Sequence, residues 1–218
     1  MTATLDLSPI LKSPRLPDIT ATLVNRLRDE TERRERFYEE MSDDQKVEFI
    51  EGEVIEHSPA RNRHLCAKLA LATLLNTFAQ VHKLGEVREE KCLCVFPRND
   101  YEPDVVFFGP EKSALFSPTT MKFPVPDFVA EVLSPTTEHR DRGVKFEDYE
   151  AHGVREYWIV DAEAESVEQY VLEEGAFRLL LKSGSGDIES RVVPGFRIPI
   201  RAIFDSATNL ETLRRLLA

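Results

Sequence analysis

Two carboxylates in this sequence lie in apolar runs, where burial would cost them their hydration. Asp104 follows Pro103 in the run P-D-V-V-F-F, and Glu131 lies inside the apolar run F-V-A-E-V-L. A buried carboxylate without a partner loses several kcal/mol of hydration. If the two runs are neighbouring strands, the two acids crowd one place and raise each other's pKa. A divalent cation would resolve both problems, because Mg²⁺ binds one or two carboxylates and keeps waters, one of which can become a nucleophile.

Other polar residues extend this candidate site, and each has a simpler alternative. Asp104 and Glu131 could instead pair separately with arginines or cap loops. Lys145 shares a helix face with Asp141 and Tyr149, because the three repeat every four residues. Its ammonium group could point at a phosphate bound on the metal, or it could form an ordinary surface pair with Asp141. Glu53 could supply a further carboxylate, or it could be an exposed acid in a hairpin.

Short apolar runs and helical spacings predict the elements that position these residues. We expect a mixed fold of the α+β (mixed α/β) class, because helices lie between strands without strict alternation. The predicted strands cover a hairpin over 47–56 and the runs 87–96, 104–108, 128–133, 154–160, 165–172 and 176–182, and the predicted helices cover 60–83, 140–152 and 210–217.

The N-terminal segment differs in composition from the rest of the chain. Three prolines in residues 1–17 predict an extended lead-in, and residues 19–41 predict a highly charged helical arm. That arm is either a solvated helix or a docking helix for a second subunit. We therefore divide the chain into residues 1–41 and a single domain over 42–218.

The overall composition excludes several classes of protein. The chain has 218 residues, of which 42% are hydrophobic, and 28 basic against 39 acidic side chains give a net charge of −11. Any contact with nucleic acid must therefore come from a local basic strip. No apolar run has the length of a membrane helix, and no secretory signal is expected. Three cysteines without a C-x-x-C pair argue against a disulfide framework or a zinc ribbon, so we expect a cytoplasmic protein.

Longer sequence strings carry a family resemblance. The strings are P-D-V-V-F-F, V-P-D-F-V-A-E-V-L-S-P-T-T, H-R-D-R-G-V-K-F-E-D-Y and G-V-R-E-Y-W-I-V-D, with E-G-E-V-I-E-H-S-P before them and P-G-F-R-I-P-I after them. Together they resemble the Uma-type "putative restriction endonuclease" family, a branch of the PD-(D/E)XK nuclease superfamily. The similarity runs from about residue 37 to residue 204.

The resemblance implies a restriction-endonuclease-like fold, with a mixed sheet flanked by helices, and phosphodiester hydrolysis as the reaction. It implies Asp104 and Glu131 as metal ligands and raises Glu53 and Lys145 as members of the site. The superfamily pattern has a lysine two residues after the acid, but this chain has Leu133 there. Lys145, on the following helix, is the natural substitute.

These observations lead to the hypothesis of a Mg²⁺-dependent DNA endonuclease, with Mn²⁺ as a substitute metal. Asp104 and Glu131 would hold the ion with the Val132 carbonyl, Lys145 would stabilise charge and orient water, and Glu53 would assist. The predicted phosphate contacts are Arg61, Arg63, Lys68, Arg140 and Arg142. RNA or branched DNA are alternative substrates, and we expect a homodimer, because two strands need two symmetric sites. The rival hypothesis is a catalytically silent nuclease-fold module that binds protein or nucleic acid.

Overall fold

The computed structural model describes residues 6–42 and 45–217 and has a mixed α/β architecture. Its helices are α1 Ser8–Leu11, α2 Leu16–Glu40, α3 Asn62–His82, α4 Pro110–Ser113, α5 Glu138–Asp141, α6 Val144–Ala151 and α7 Ser206–Leu216, with a 3₁₀ helix at Ile200–Ile203. Its strands are β1 Val47–Ile50, β2 Glu53–Glu56, β3 Glu86–Glu89, β4 Leu93–Val95, β5 Asp100–Tyr101, β6 Val105–Phe108, β7 Lys122–Phe123, β8 Phe128–Val132, β9 Glu156–Asp161, β10 Ser166–Glu173, β11 Ala176–Ser183, β12 Asp187–Glu189 and β13 Arg197–Pro199.

Two larger sheets and one small hairpin organise the chain. The six-stranded sheet has the order β11-β10-β9-β8-β6-β3, and the five-stranded sheet has the order β2-β1-β5-β4-β7. Strands β8 and β9 are parallel, whereas β6 pairs with β8 in antiparallel orientation, so the larger sheet is mixed. The expected hairpin over 47–56 is confirmed as β1 and β2. None of the helices in the described ranges is long and apolar enough to cross a bilayer.

Strand β8 is buried on both faces, as its apolar run predicts. Phe128, Ala130 and Val132 pack into a core with helix α3. Val129 points to the opposite face, into a second core that includes residues of both larger sheets. Glu131 follows the alternation of Val129, so its carboxylate lies on the side where the two sheets meet.

Two predicted elements are each divided in the structure. The helix expected over 140–152 is interrupted between α5 and α6 at Gly143, where an added Cβ atom would lie 2.7 Å from the His139 carbonyl oxygen. The strand expected over 87–96 ends at Glu90 and Lys91, which have φ angles of 27° and 54°. Such left-handed backbone cannot continue strand pairing, so β3 and β4 join different sheets.

The charged arm is a helix, as predicted, and its two halves have different surroundings. In the C-terminal half, Arg34 donates a hydrogen bond of 2.7 Å from Nε to the buried Asp100 carboxylate, and Phe37 is buried in a small core. The N-terminal half exposes large apolar side chains, namely Leu23, Val24 and Leu27. The expected extended lead-in contains helix α1 instead, and residues 1–5 of that prediction lie outside the described residues.

Candidate active site

Asp104 and Glu131 lie side by side because β6 and β8 are adjacent. Val105 pairs with Ala130 in antiparallel register, so the residue before β6 reaches the end of β8. The Val132 N–H donates a hydrogen bond of 2.9 Å to Asp104 Oδ2, and the Asp104 N–H donates one of 3.2 Å to Glu131 Oε2. Each carboxylate is thus held by the backbone of the other strand. Both residues are buried, with 3% of their surface exposed.

Two basic side chains approach the remaining oxygen of Asp104. Lys46 Nζ and His64 Nε2 each lie 3.3 Å from Asp104 Oδ1, which is longer than a strong charge-assisted hydrogen bond. Burial alone would raise the pKa of Asp104, but the His64 hydrogen bond and the Lys46 charge hold it below its usual value. The expectation that the two acids raise each other's pKa is therefore wrong for Asp104.

Lys145 is buried among three carboxylates and is not part of a surface pair. Its Nζ lies 2.9 Å from Glu48 Oε1, 2.9 Å from Glu131 Oε1 and 3.6 Å from Asp141 Oδ1, and the residue is 3% exposed. Tyr149 also donates to Glu131 Oε1, at 2.9 Å. The predicted shared helix face is confirmed for Lys145 and Tyr149 on α6, whereas Asp141 reaches the cluster from the separate helix α5.

The carboxylates around Lys145 differ in acidity. Burial raises the pKa of Glu131, where the positive charge of Lys145 opposes the rise and the charge of Asp104 adds to it. Burial also raises the pKa of Asp141, to about 7, against the opposing charge of Lys145. Burial disfavours the charge of Glu48 as well, but Lys145 and His57 together lower its pKa to about 2. Glu48 is therefore the ionised partner that holds Lys145.

Glu53 does not join this cluster, and the prediction that it assists there is corrected. It is exposed at the start of β2 and lies 3.6 Å from Arg33 of the arm. Glu48, which the sequence reasoning missed, occupies the place expected for Glu53. The strand period does not explain the difference, because Glu48 pairs with Ile55 and Ile50 with Glu53, so both acids point to the same face of the hairpin. Strand β1 lies inside the five-stranded sheet and is buried, whereas β2 forms its largely exposed edge. Glu48 carries the same signal as Glu131, a carboxylate inside the apolar run V-E-F-I.

The five predicted phosphate contacts have different surroundings. Arg61 lines the cavity above the carboxylates, and its guanidinium has no ion pair or hydrogen bond within residues 6–42 and 45–217. Acidic side chains hold Arg63, Lys68 and Arg142. Arg140 lines a different cavity, beside Glu53. Arg61 is thus the predicted cation that is available to a ligand at this site.

The cavity in front of the carboxylates has a volume of about 400 Å³. Its lining residues include acidic and basic side chains and one loop segment, namely Asp104, Glu131, Asp141, Lys145, Lys46, His57, His64, Arg61 and the segment 134–137. In its wall, His64 Nδ1 is buried without a hydrogen-bond partner in the described part of the chain. The cavity is therefore polar and deep enough to admit a small charged group to the buried carboxylates.

The donor set fits a hard cation that needs few protein ligands. Among the described residues, no group of three or more His, Cys, Asp or Glu side chains is arranged to hold a metal ion. Glu48 does not line the cavity, and Lys145 and His57 engage its two oxygens. Asp104 and Glu131 remain, and two carboxylates suffice for Mg²⁺, which takes its other ligands from water and phosphate.

Comparison with known proteins gives a family match and a shared fold. The model of the Uma2 family, described as "Putative restriction endonuclease", matches residues 16–201. The crystal structure of "a putative nuclease belonging to DUF820" from Anabaena variabilis is similar, with a TM-score of 0.67 and 16% identity over 79% of this chain and 96% of that chain. At that identity the likeness shows the fold alone. No curated protein is significantly similar to the chain. The expected family resemblance and mixed α/β nuclease fold are confirmed.

The buried position of Lys145 leads to a prediction about stability. Lys145→Met should lower the free energy of unfolding by about 3–5 kcal/mol at pH 7, because it leaves buried carboxylates without their cation. Lys182→Met is the control, since Lys182 is 62% exposed in its pair with Glu168 and should cost less than about 1 kcal/mol. Urea denaturation measures both.

The difference in the free energy of unfolding between the wild type and Lys145→Met should depend on pH. The folded pKa of Glu48 is about 2, below the ordinary value of about 4.3, so the stabilisation from its ionised form is complete above the ordinary pKa. It is lost as the pH falls towards 2. The difference in the free energy of unfolding should therefore become smaller as the pH is lowered. A gap below about 1 kcal/mol at pH 7 would contradict the account, since that is the cost of an exposed pair.

Proposed function

Because the chain belongs to the Uma2 family, described as "Putative restriction endonuclease", we propose that it is a divalent-metal-dependent endonuclease that hydrolyses phosphodiester bonds in DNA. The observation that carries this proposal is the pair of buried carboxylates, Asp104 and Glu131, beside the buried ammonium of Lys145 at the floor of one cavity. RNA and branched DNA contain the same bond and remain alternative substrates.

Asp104 and Glu131 would hold Mg²⁺, or Mn²⁺ in its place, with the Val132 carbonyl as a further oxygen ligand. Asp104 Oδ1 is the most available oxygen, because its contacts with Lys46 and His64 are both 3.3 Å long. A bound Mg²⁺ supplies a water of lowered pKa and offsets negative charge on the phosphate. Glu48 serves a different purpose: it is a positioning residue that holds the Lys145 ammonium.

Lys145 retains one donor for the reaction. An ammonium group has three N–H donors, and contacts of 2.9 Å to Glu48 and Glu131 account for two of them. The Asp141 oxygen, at 3.6 Å, is too far for a hydrogen bond. The third donor is therefore available to a water or a phosphate oxygen in the cavity, where it stabilises charge that develops in the transition state.

The rim of the cavity favours an anion. Helix α3 begins after Arg61 without a side-chain cap, so backbone N–H groups of its first turn stay available. The positive end of the helix dipole lies there as well, and the Arg61 guanidinium adds a full charge. These groups suit the phosphates of a nucleic acid, although the whole chain carries a net charge of −11.

A matched pair of substitutions tests the proposed endonuclease activity. Glu131→Gln should lower the rate of DNA cleavage in Mg²⁺ or Mn²⁺ by roughly 10²–10³, the cost of losing one preorganised charged group. Glu53→Gln makes the same chemical change at an exposed acid outside the cluster and should leave the rate unchanged. The measurement follows supercoiled, linear and single-stranded DNA on gels, with both variants checked for folding by thermal denaturation.

The outcomes separate the endonuclease from its rival. Equal cleavage by wild type and Glu131→Gln would remove the carboxylate pair from the mechanism. Absence of cleavage in the wild type on every DNA and RNA substrate, with either metal, would favour a catalytically silent nuclease-fold module. The sequence feature that favours the catalytically silent module is Leu133 at the usual lysine position.

We also propose that the chain acts as a homodimer, with the N-terminal half of α2 in the interface. Leu23, Val24 and Leu27 are each more than half exposed on that helix. A helix of this kind is stabilised mainly by burial of an apolar face, so exposure to water leaves it without its main support. Sedimentation velocity should show a dimer that Leu23→Glu dissociates, and a monomeric wild type would contradict the proposal. Leu115→Glu, at an apolar side chain 77% exposed elsewhere, is the control.

A further inference from the structure

A second pocket opens directly beside the cavity that holds the carboxylates. Its volume is about 280 Å³, and it lies between the start of α3, the segment after β8 and the turn after β9. Four residues line both spaces: Arg61, His64, Ser134 and Pro135. The proposed function does not use this pocket, although it shares part of its wall with the cavity that holds the carboxylates.

The walls of this adjoining pocket combine apolar surface with hydrogen-bond acceptors. Leu133, Pro135 and Ala162 contribute apolar surface. Asp161 contributes a carboxylate whose Oδ1 accepts the N–H groups of Glu163 and Ala164, each at 2.9 Å. Its Oδ2 has no hydrogen-bond partner among the residues that the structure describes. The other two acids that line the pocket are paired, Glu163 with Arg63 and Glu138 with Arg142. One fixed and one available oxygen of Asp161 therefore give a defined acceptor.

The boundary between the two spaces carries the positive charge. Arg61 lies on that boundary, and within the described ranges its guanidinium has no ion pair. A guanidinium in this position can bind a phosphate that joins one nucleotide to the next. The order of groups is thus carboxylate pair, cation, then a pocket of apolar and acceptor character.

We propose that the adjoining pocket binds the nucleobase next to the scissile phosphate, and that this base carries an exocyclic amino group. Apolar side chains contact base faces, and carboxylates accept hydrogen bonds from amino groups such as N4 of cytosine. The inference rests on the proposed endonuclease function and deepens it. A base in this pocket cannot remain stacked in a duplex, so the preferred substrate has an unpaired nucleotide beside the cleaved bond.

Binding by the wild-type chain tests the proposal without requiring turnover. Fluorescence anisotropy in Ca²⁺ compares one duplex with four versions of a single position: an unpaired cytosine, an unpaired thymine, an unpaired abasic site and a fully paired control. The unpaired cytosine should bind roughly tenfold more tightly than the paired duplex, because the protein no longer opens the base pair. It should also bind more tightly than thymine and the abasic site. Equal binding of all four duplexes, or no binding, overturns the proposal.

An isosteric substitution tests the acceptor itself. Asp161→Asn keeps Oδ1 for the turn but replaces the available oxygen with an amide donor, so the preference for cytosine over thymine should disappear. Asp187→Asn makes the same change at the exposed pair with Arg197 and should keep the preference. An unchanged preference in Asp161→Asn overturns the assignment of Asp161.

Cleavage of the same duplexes separates this inference from the function on which it rests. Cleavage in Mg²⁺ of every duplex at one rate, with equal binding in Ca²⁺, would retain the endonuclease and overturn the base pocket. A clear preference for unpaired cytosine in Ca²⁺, with no cleavage in Mg²⁺ or Mn²⁺, would retain the pocket and overturn the endonuclease.

Discussion

The ammonium group of Lys145 joins carboxylates that come from three separate elements. Glu48 belongs to β1 of the five-stranded sheet, Glu131 to β8 of the six-stranded sheet, and Asp141 to α5. All lie within 3.6 Å of Lys145 Nζ and are nearly inaccessible to water. Burial of charges is tolerated only when they are paired, so this cluster requires the two sheets to meet where they do. The same cation that allows the carboxylates to be buried also lines the cavity.

The geometry of the site depends on backbone register as much as on charge. Antiparallel pairing of β6 with β8 brings Asp104 to Glu131, and each acid accepts a hydrogen bond from the opposite strand. The parallel pairing of β8 with β9 then covers the other edge of β8. Carboxylates held in this way need little reorganisation when a cation or phosphate arrives, which is how a preorganised site lowers a barrier.

The sequence could predict those parts of the site that depend on local pattern. Burial of β8, the inward direction of Glu131 and the shared face of Lys145 and Tyr149 follow from strand and helix periods. The contrast between Glu48 and Glu53 required knowledge of which hairpin strand lies inside the five-stranded sheet and which forms its edge, and that depends on the long-range pairing of β1 with β5. The breaks at Gly143 and at Glu90 likewise depend on close contacts and backbone angles that residue types alone do not reveal.

We propose above all that Asp104 and Glu131 bind a divalent metal beside Lys145. Titration of Mn²⁺ into the metal-free chain, followed by calorimetry, tests it most directly. The account predicts saturable binding to the wild type and to Glu53→Gln, and loss of that binding in Asp104→Asn with the fold intact. Wild-type affinity in Asp104→Asn, or no binding to the wild type in the presence of a DNA oligonucleotide, would contradict the account.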